Sequence, residues 1–150
     1  MNLENAMGIS ASGLDAQRLR MNVIASNLAN ANFSRTSEGG PYRRRDVIFA
    51  AAPHAVPYQG GFGNLLRINS GPQVQSVQVV GLIEDQRPFK TVYDPQHPDA
   101  NDQGYVSLPN VNILEEMVNL ISATRSYEAN VTALSATKSM IQKALEIGRA

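Results

Sequence analysis

Residues 110–150 read NVNILEEMVNLISATRSYEANVTALSATKSMIQKALEIGRA. Alternating steps of four and three residues pick out Ile113, Met117, Leu120, Thr124, Tyr127, Val131, Leu134, Lys138, Ile141 and Leu145. Eight of these ten are apolar with Tyr127 included, which is the spacing of a coiled-coil seam. The stretch has no proline, and its only glycine is Gly148, placed where a helix would stop. Asn112 followed by Glu115 is a variant of the capping box, so the pattern predicts a helix over Ile113–Ile147. At 1.5 Å per residue it would be roughly 50 Å long. A compact domain of this size cannot cover such a helix, so it needs a partner helix.

The other end of the chain supplies one. The same stepping from the N-terminus gives Leu3, Met7, Ser10, Leu14, Gln17, Met21, Ile24, Leu28 and Ala31, seven of them apolar. Asn2 is a candidate cap. Gly8 and Gly13 each weaken this helix by about 1 kcal/mol relative to alanine. Its many Ser and Asn side chains compete for backbone groups. Such a segment is marginal alone and helical when packed. Asn27, Asn30 and Asn32 mark its end, where asparagine tolerates left-handed geometry. Polar seam positions (Ser10, Gln17, Thr124, Lys138) can specify register.

All eight prolines lie between Pro41 and Pro109, so the two helical arms bracket a different kind of sequence. Asp46–Ala50, Val74–Ile83, Pro88–Tyr93 and Gly104–Ser107 read as short strands. Val74–Ile83 is apolar on both faces, as in a strand covered on both sides. Pro53, Pro57 and Gly60-Gly61 mark a loop. Eight of the nine aromatics fall between Phe33 and Tyr105, which predicts a small β core in the middle. The fold class is therefore α+β. Residues 1–40 and 110–150 form a helical arm of coiled-coil or bundle type, and 41–109 form a β-rich insert.

The chain of 150 residues is 43% hydrophobic and 17% charged, with zero net charge. Each arm is also balanced, so no strong field steers it to nucleic acid or an anionic membrane. Without cysteine there is no disulfide, zinc–thiolate site or cysteine nucleophile. No apolar run approaches the length of a membrane span, and no cleavable secretion signal is expected at the N-terminus. Arg43-Arg44-Arg45, the one charge run, reads as a solvated or subunit-contact face. Asp94–Asp102 offers Asp94, His97, Asp99 and Asp102, but its prolines and Asn/Asp pattern fit a surface turn better than a calcium loop. Glu115 and Glu116 project about 100° apart from a helix and read as favourable charge in its first turn. No nucleophile elbow, phosphate loop or paired carboxylates occur, so no catalytic, cofactor-binding or metal-binding residue is assigned.

Three stretches then converge. SGLDAQRLRMNVIASNLANAN resembles the N-terminal signature of bacterial flagellar axial proteins. EGGPYRRRDVIF narrows this to rod proteins. VVGLIEDQRPFKTVYDPQHPDANDQGYVSLPNVN, with EEMVNLISATRSYEANV and KSMIQKALEIGR, is similar to the proximal-rod FlgC family. The likeness is weakest over about 51–70, and Phe33 and Ile113 depart from the usual pattern. The resemblance implies a non-enzymatic subunit of the flagellar basal-body rod, the drive shaft that carries torque across the periplasm. It implies export by the flagellar type III apparatus and assembly through terminal helices into a helical tube. Implied neighbours are proximal- and distal-rod proteins, the rod-to-ring adaptor and further copies. The interface residues assigned on this basis are Leu14, Met21, Ile24, Asn27, Leu28 and Asn30 on the first arm. On the second they are Met117, Leu120, Ile121, Tyr127, Val131, Leu134 and Ile141.

Three rivals stay open on the residues alone. A coiled-coil adaptor would form a stable dimer. A nucleic-acid binder using the arginine run would show steep salt dependence. A metal protein built on 94–102 would take up calcium or zinc.

Overall fold

The computed structural model describes residues 3–37, 39–53 and 75–148. The Asn2 cap, the Leu3 side chain, the start of a strand at Val74 and the Pro57–Gly61 loop lie outside the described residues. Helix α1 spans Leu3–Ala29 and α2 spans Ile113–Ile147. Between them come β1 (Arg45–Pro53), β2 (Gln75–Glu84), β3 (Lys90–Tyr93) and β4 (Tyr105–Leu108). This is the α+β arrangement expected: terminal helices around a β-rich insert.

The helices pack antiparallel. Three contacts set the register: Gly13 against Asn130, the Thr124 hydroxyl on Met21 Sδ at 3.7 Å, and Asn27 Nδ2 donating to Glu116 Oε2 at 2.9 Å. On α2 the seam-facing residues are Glu116, Leu120, Ala123, Tyr127, Asn130, Leu134, Thr137 and Ile141, again in steps of four and three. Half of these are the residues expected. The other half lie one position earlier: Glu116, Asn130 and Thr137 replace Met117, Val131 and Lys138, and Ala123 is buried beside Thr124, which still reaches Met21. Large side chains at the expected positions turn outward: Met117 is 49% and Val131 40% exposed. The partner face of α1 explains the shift. Gly13 and Ala16 are buried there, and helices that approach on small residues leave no room for methionine or valine.

Gly13 has a measurable part in this. A Cβ added to it would lie 3.0 Å from Asn130 Nδ2. Alanine needs only a small turn of that amide and gains about 1 kcal/mol of helix propensity, so Gly13→Ala is expected to be close to neutral. Gly13→Leu overpacks the seam and is expected to cost about 1–3 kcal/mol. Chemical denaturation of the two variants checks this, and Asn130→Ala should recover part of the leucine loss.

β1 and β2 pair antiparallel from Arg45 opposite Glu84 to Pro53 opposite Gln75. The register slips between Ile48 and Phe49, leaving Val80 as the extra residue of a bulge. This long hairpin lies along α1, where the Val77 backbone N–H donates to Ser12 Oγ at 3.1 Å. β3 and β4 form a separate two-stranded sheet. Its turn closes on Gly104, whose φ of 79° brings the Cα under the Tyr93 ring, where an added Cβ would sit 2.9 Å from Tyr93 Cε2.

The expected β core is therefore divided. The two hairpins share no ladder, and Val80 and Leu82 remain 66% and 52% exposed, so β2 is not covered on both sides. Within the described insert, Tyr42 and Val106 are the buried apolar side chains besides Pro109. Two-stranded sheets are marginal alone; the β1–β2 hairpin leans on α1, and the β3–β4 pair does not. The asparagines around the end of α1 also behave differently from expectation. No described non-glycine residue has positive φ. Asn30 donates to the Ser26 carbonyl, and Asn27 is fully buried.

Candidate functional site

The most organised group of side chains lies where the end of α1, the start of β1 and the first turn of α2 meet. Asn27 is 0% exposed and uses all four hydrogen-bonding positions of its amide. Its Nδ2 donates to the Arg45 carbonyl at 2.8 Å and to Glu116 Oε2 at 2.9 Å. Its Oδ1 accepts from the Tyr42 hydroxyl at 2.9 Å and the Arg45 N–H at 3.0 Å. Glu116, also 0% exposed, accepts from Arg44 Nε on its other oxygen at 2.8 Å. Arg44 further bridges to Asp46 at 3.1 Å and Asp85 at 3.7 Å. Asn110 completes the cluster. It accepts from the Arg44 N–H at 2.8 Å and donates to the carbonyls of Asp85 and Arg87, both at 3.1 Å.

Burial works against the charge of Arg44, but the hydrogen bond and charge of Glu116, with Asp46, outweigh it and raise its pKa. Asp85 moves the other way. The Arg87 backbone N–H donates to its carboxylate, and the Arg87 guanidinium adds a 2.7 Å bond, so its pKa is lowered despite partial burial. A carboxyl whose pKa is lower in the folded than in the unfolded chain stabilises in full above the unfolded value, about 4. That stabilisation fades as pH falls through the lowered folded value. Denaturation midpoints at pH 6 and pH 3 should therefore differ less in Asp85→Asn than in the parent chain.

This cluster is a joint and not a reaction centre. Both oxygens of Glu116 are occupied, no nucleophile adjoins it, and charged hydrogen bonds of this kind fix angles between segments. One group elsewhere looks chemical and is not. Ser34 donates to Asp99 Oδ2 at 2.7 Å, but His97 Nδ1 accepts from the Asp99 backbone N–H, so the imidazole never reaches the serine. Among the described residues no group of three or more potential ligands is placed to hold a metal ion. No described helix is long and apolar enough to cross a membrane.

The arginine run is absorbed by the fold. Arg44 is only 12% exposed at its side chain, which overturns a solvated face there. Arg43 stacks over Phe89 at 4.4 Å and Arg45 over Tyr42 at 5.8 Å. Glu115 pairs with Arg87 at 3.5 Å, while the cap of α2 is Asn112 accepting from the Leu114 N–H. Glu116 was missed as a core residue. The signal lay in its position seven residues before Ala123, in the same seven-residue series as Asn130 and Thr137.

The thirteen assigned interface residues divide into three groups. Ile24 and Asn27 are buried inside the chain. Leu14, Met21, Leu28, Asn30, Leu120, Tyr127, Leu134 and Ile141 are half-buried along the helix pair. Met117, Ile121 and Val131 face outward. With Ile113, Leu114 and Val118, the first two form an apolar stripe on the first three turns of α2, opposite the joint.

Comparison with known proteins gives this arrangement its context. Residues 7–33 match the family "Flagella basal body rod protein", and residues 102–147 match "Flagellar basal body rod FlgEFG protein C-terminal". The first match falls on α1 and the turn after it, and the second covers β4 and α2. A flagellar basal-body rod protein FlgC of Borreliella burgdorferi is 45% identical, over 98% of each chain. The FlgC protein of Bacillus subtilis is 46% identical, over 99% of this chain and all of its own. That of Salmonella typhimurium is 43% identical over the same shares. The chain belongs to the FlgC family of flagellar basal-body rod proteins. FlgC proteins are structural components of the basal body and not enzymes, which agrees with a joint in place of a reaction centre.

Proposed function

We propose that this FlgC-family chain is a load-bearing subunit of the proximal rod, part of the periplasmic drive shaft that passes motor torque to hook and filament. It polymerises through its helical arms with its own copies and with other proximal- and distal-rod proteins, near the rod-to-ring adaptor. It leaves the cytoplasm through the flagellar type III apparatus. The carrying observation is the helix pair itself. It is locked internally by small and polar residues and leaves Leu114, Met117, Val118 and Ile121 between 49% and 73% exposed. Residues that serve only one chain's stability would be arranged the other way round. The glycine- and serine-containing α1 supports export, since such a helix stays open until packed.

Complementation tests the reading. In cells deleted for their own FlgC subunit, this chain is expected to restore rods, visible in isolated basal bodies, and swimming. Export of the chain without any rod would overturn the structural role. Its retention in the cytoplasm of a host with an intact export apparatus would overturn the export route.

A further inference from the structure

The outer faces of the two helices form a matched pair. On α2, Leu114, Val118, Ile121, Arg125 and Glu128 share one exposed stripe. On α1, Asp15, Arg18, Asn22, Ala25 and Ala29 share another. Both stripes repeat in steps of four and three, so both are straight along the helix pair. One is bulky where the other is small. The register places these features at nearby heights, because Asn27 stands against Glu116 and Met21 against Thr124.

Charge then decides how two copies can meet. Asp15 pairs with Arg18 along α1 at 3.5 Å, and Arg125 with Glu128 along α2 at 3.3 Å, all well exposed. Because the helices are antiparallel, Arg18 and Arg125 fall at nearly one height, and Asp15 and Glu128 at another. Two copies placed side by side at equal height would set arginine against arginine and carboxylate against carboxylate. A displacement of one helical turn, about 5 Å, removes that conflict. Moving the second copy toward the C-terminal end of α1 brings its Glu128 to Arg18. Its Ile121 then sits over the hollow between Asn22, Ala25 and Ala29, and its Leu114 lies beside Phe33, which is 58% exposed.

We propose that the outer stripe of α2 docks on the outer stripe of α1 of a second copy, displaced by one helical turn. This rests on the rod-subunit reading above and names the faces it uses. The contact is head-to-tail, so each copy carries both halves, and the displacement makes successive copies climb instead of closing a flat ring. The α2 stripe comprises five residues, against roughly 20–30 a side in a standard interface. Isolated pairs are therefore weak, and assembly is cooperative.

The chain has no cysteine, which makes a disulfide test direct. Purified Ala25→Cys and Ile121→Cys proteins are oxidised separately and as a mixture, at concentrations where the parent chain associates. The expected result is a covalent dimer at least tenfold more abundant in the mixture than in either protein alone. Arg18→Glu should reduce it several-fold, and combining Arg18→Glu with Glu128→Arg should restore it. Homodimers in the separate reactions would show face-to-self pairing and overturn the proposal. No covalent dimer in any reaction would overturn the second copy as occupant. Complementation by the unmodified chain is unaffected by either result, so failure of the faces and failure of the rod role are distinguishable.

Discussion

Replacing Glu116 by alanine is expected to lower the stability of this chain by about 3–5 kcal/mol, the usual cost of removing one member of a buried ion pair. The reason lies in what stays behind. Arg44, 12% exposed at its side chain, loses its 2.8 Å partner, and Asn27 Nδ2 is left facing a void. Such a loss is a large share of the whole stability of a small domain. Glu116→Gln is expected to fall between alanine and the parent. Both carboxylate oxygens accept, from Arg44 Nε and Asn27 Nδ2, and an amide must offer a donor to one of those donors. Urea denaturation of the three proteins gives the order directly. A Glu116→Ala protein within 1 kcal/mol of the parent, an effect smaller than about one ordinary hydrogen bond, would falsify the joint as described.

Asn27→Asp changes one atom and is expected to cost about 3 kcal/mol or more. The new oxygen would face the Glu116 carboxylate where 2.9 Å now separates donor and acceptor, and the Arg45 carbonyl where 2.8 Å does. A like charge and two acceptors at that distance cannot both be tolerated in a buried place. The double variant Asn27→Asp with Glu116→Gln is the sharper measurement. It exchanges donor and acceptor across the same contact, so the glutamine amide can donate to the new carboxylate. About half the loss is expected to return, with the remainder held by the unpaired Arg45 carbonyl. Additive losses in the double variant would mean that the two side chains act separately.

The sequence made the helices visible more readily than their faces. The run from Ile113 to Ile147 lacks breakers and repeats with the right period, and the four strands are short alternating runs bounded by proline and glycine. Counting apolar residues placed half of the seam one position away from the true one. Met117 and Val131 raise the apolar count of the expected stripe, yet the chain keeps Ala123, Asn130 and Thr137 inside and turns the larger residues outward. Apolarity shows where a partner is needed and does not say whether it is the same chain or another. Gly13 and Ala16 held the missing information, since small residues mark the face where two backbones approach. The joint was harder still. Asn27 was singled out, but Glu116 looked like a first-turn charge and Arg44 like part of a solvated run. Their meeting depends on a tertiary fold that brings residues 27, 44 and 116 together. The division of the insert into two separate hairpins was equally hidden, because alternation does not say which strands pair.

The separation of those residues also orders events in time. Asn27 and Glu116 lie 89 positions apart, and every pairing along the two helices spans a comparable stretch. On the export route proposed above, whichever end of the chain leaves the channel first, its helix meets no mate until nearly all the rest has followed. The hairpins can close early, from neighbouring residues, but the long seam shuts last. A polypeptide delivered end first thus keeps its stickiest surfaces undeveloped for almost the whole of its passage, and acquires its rigid form only on arrival.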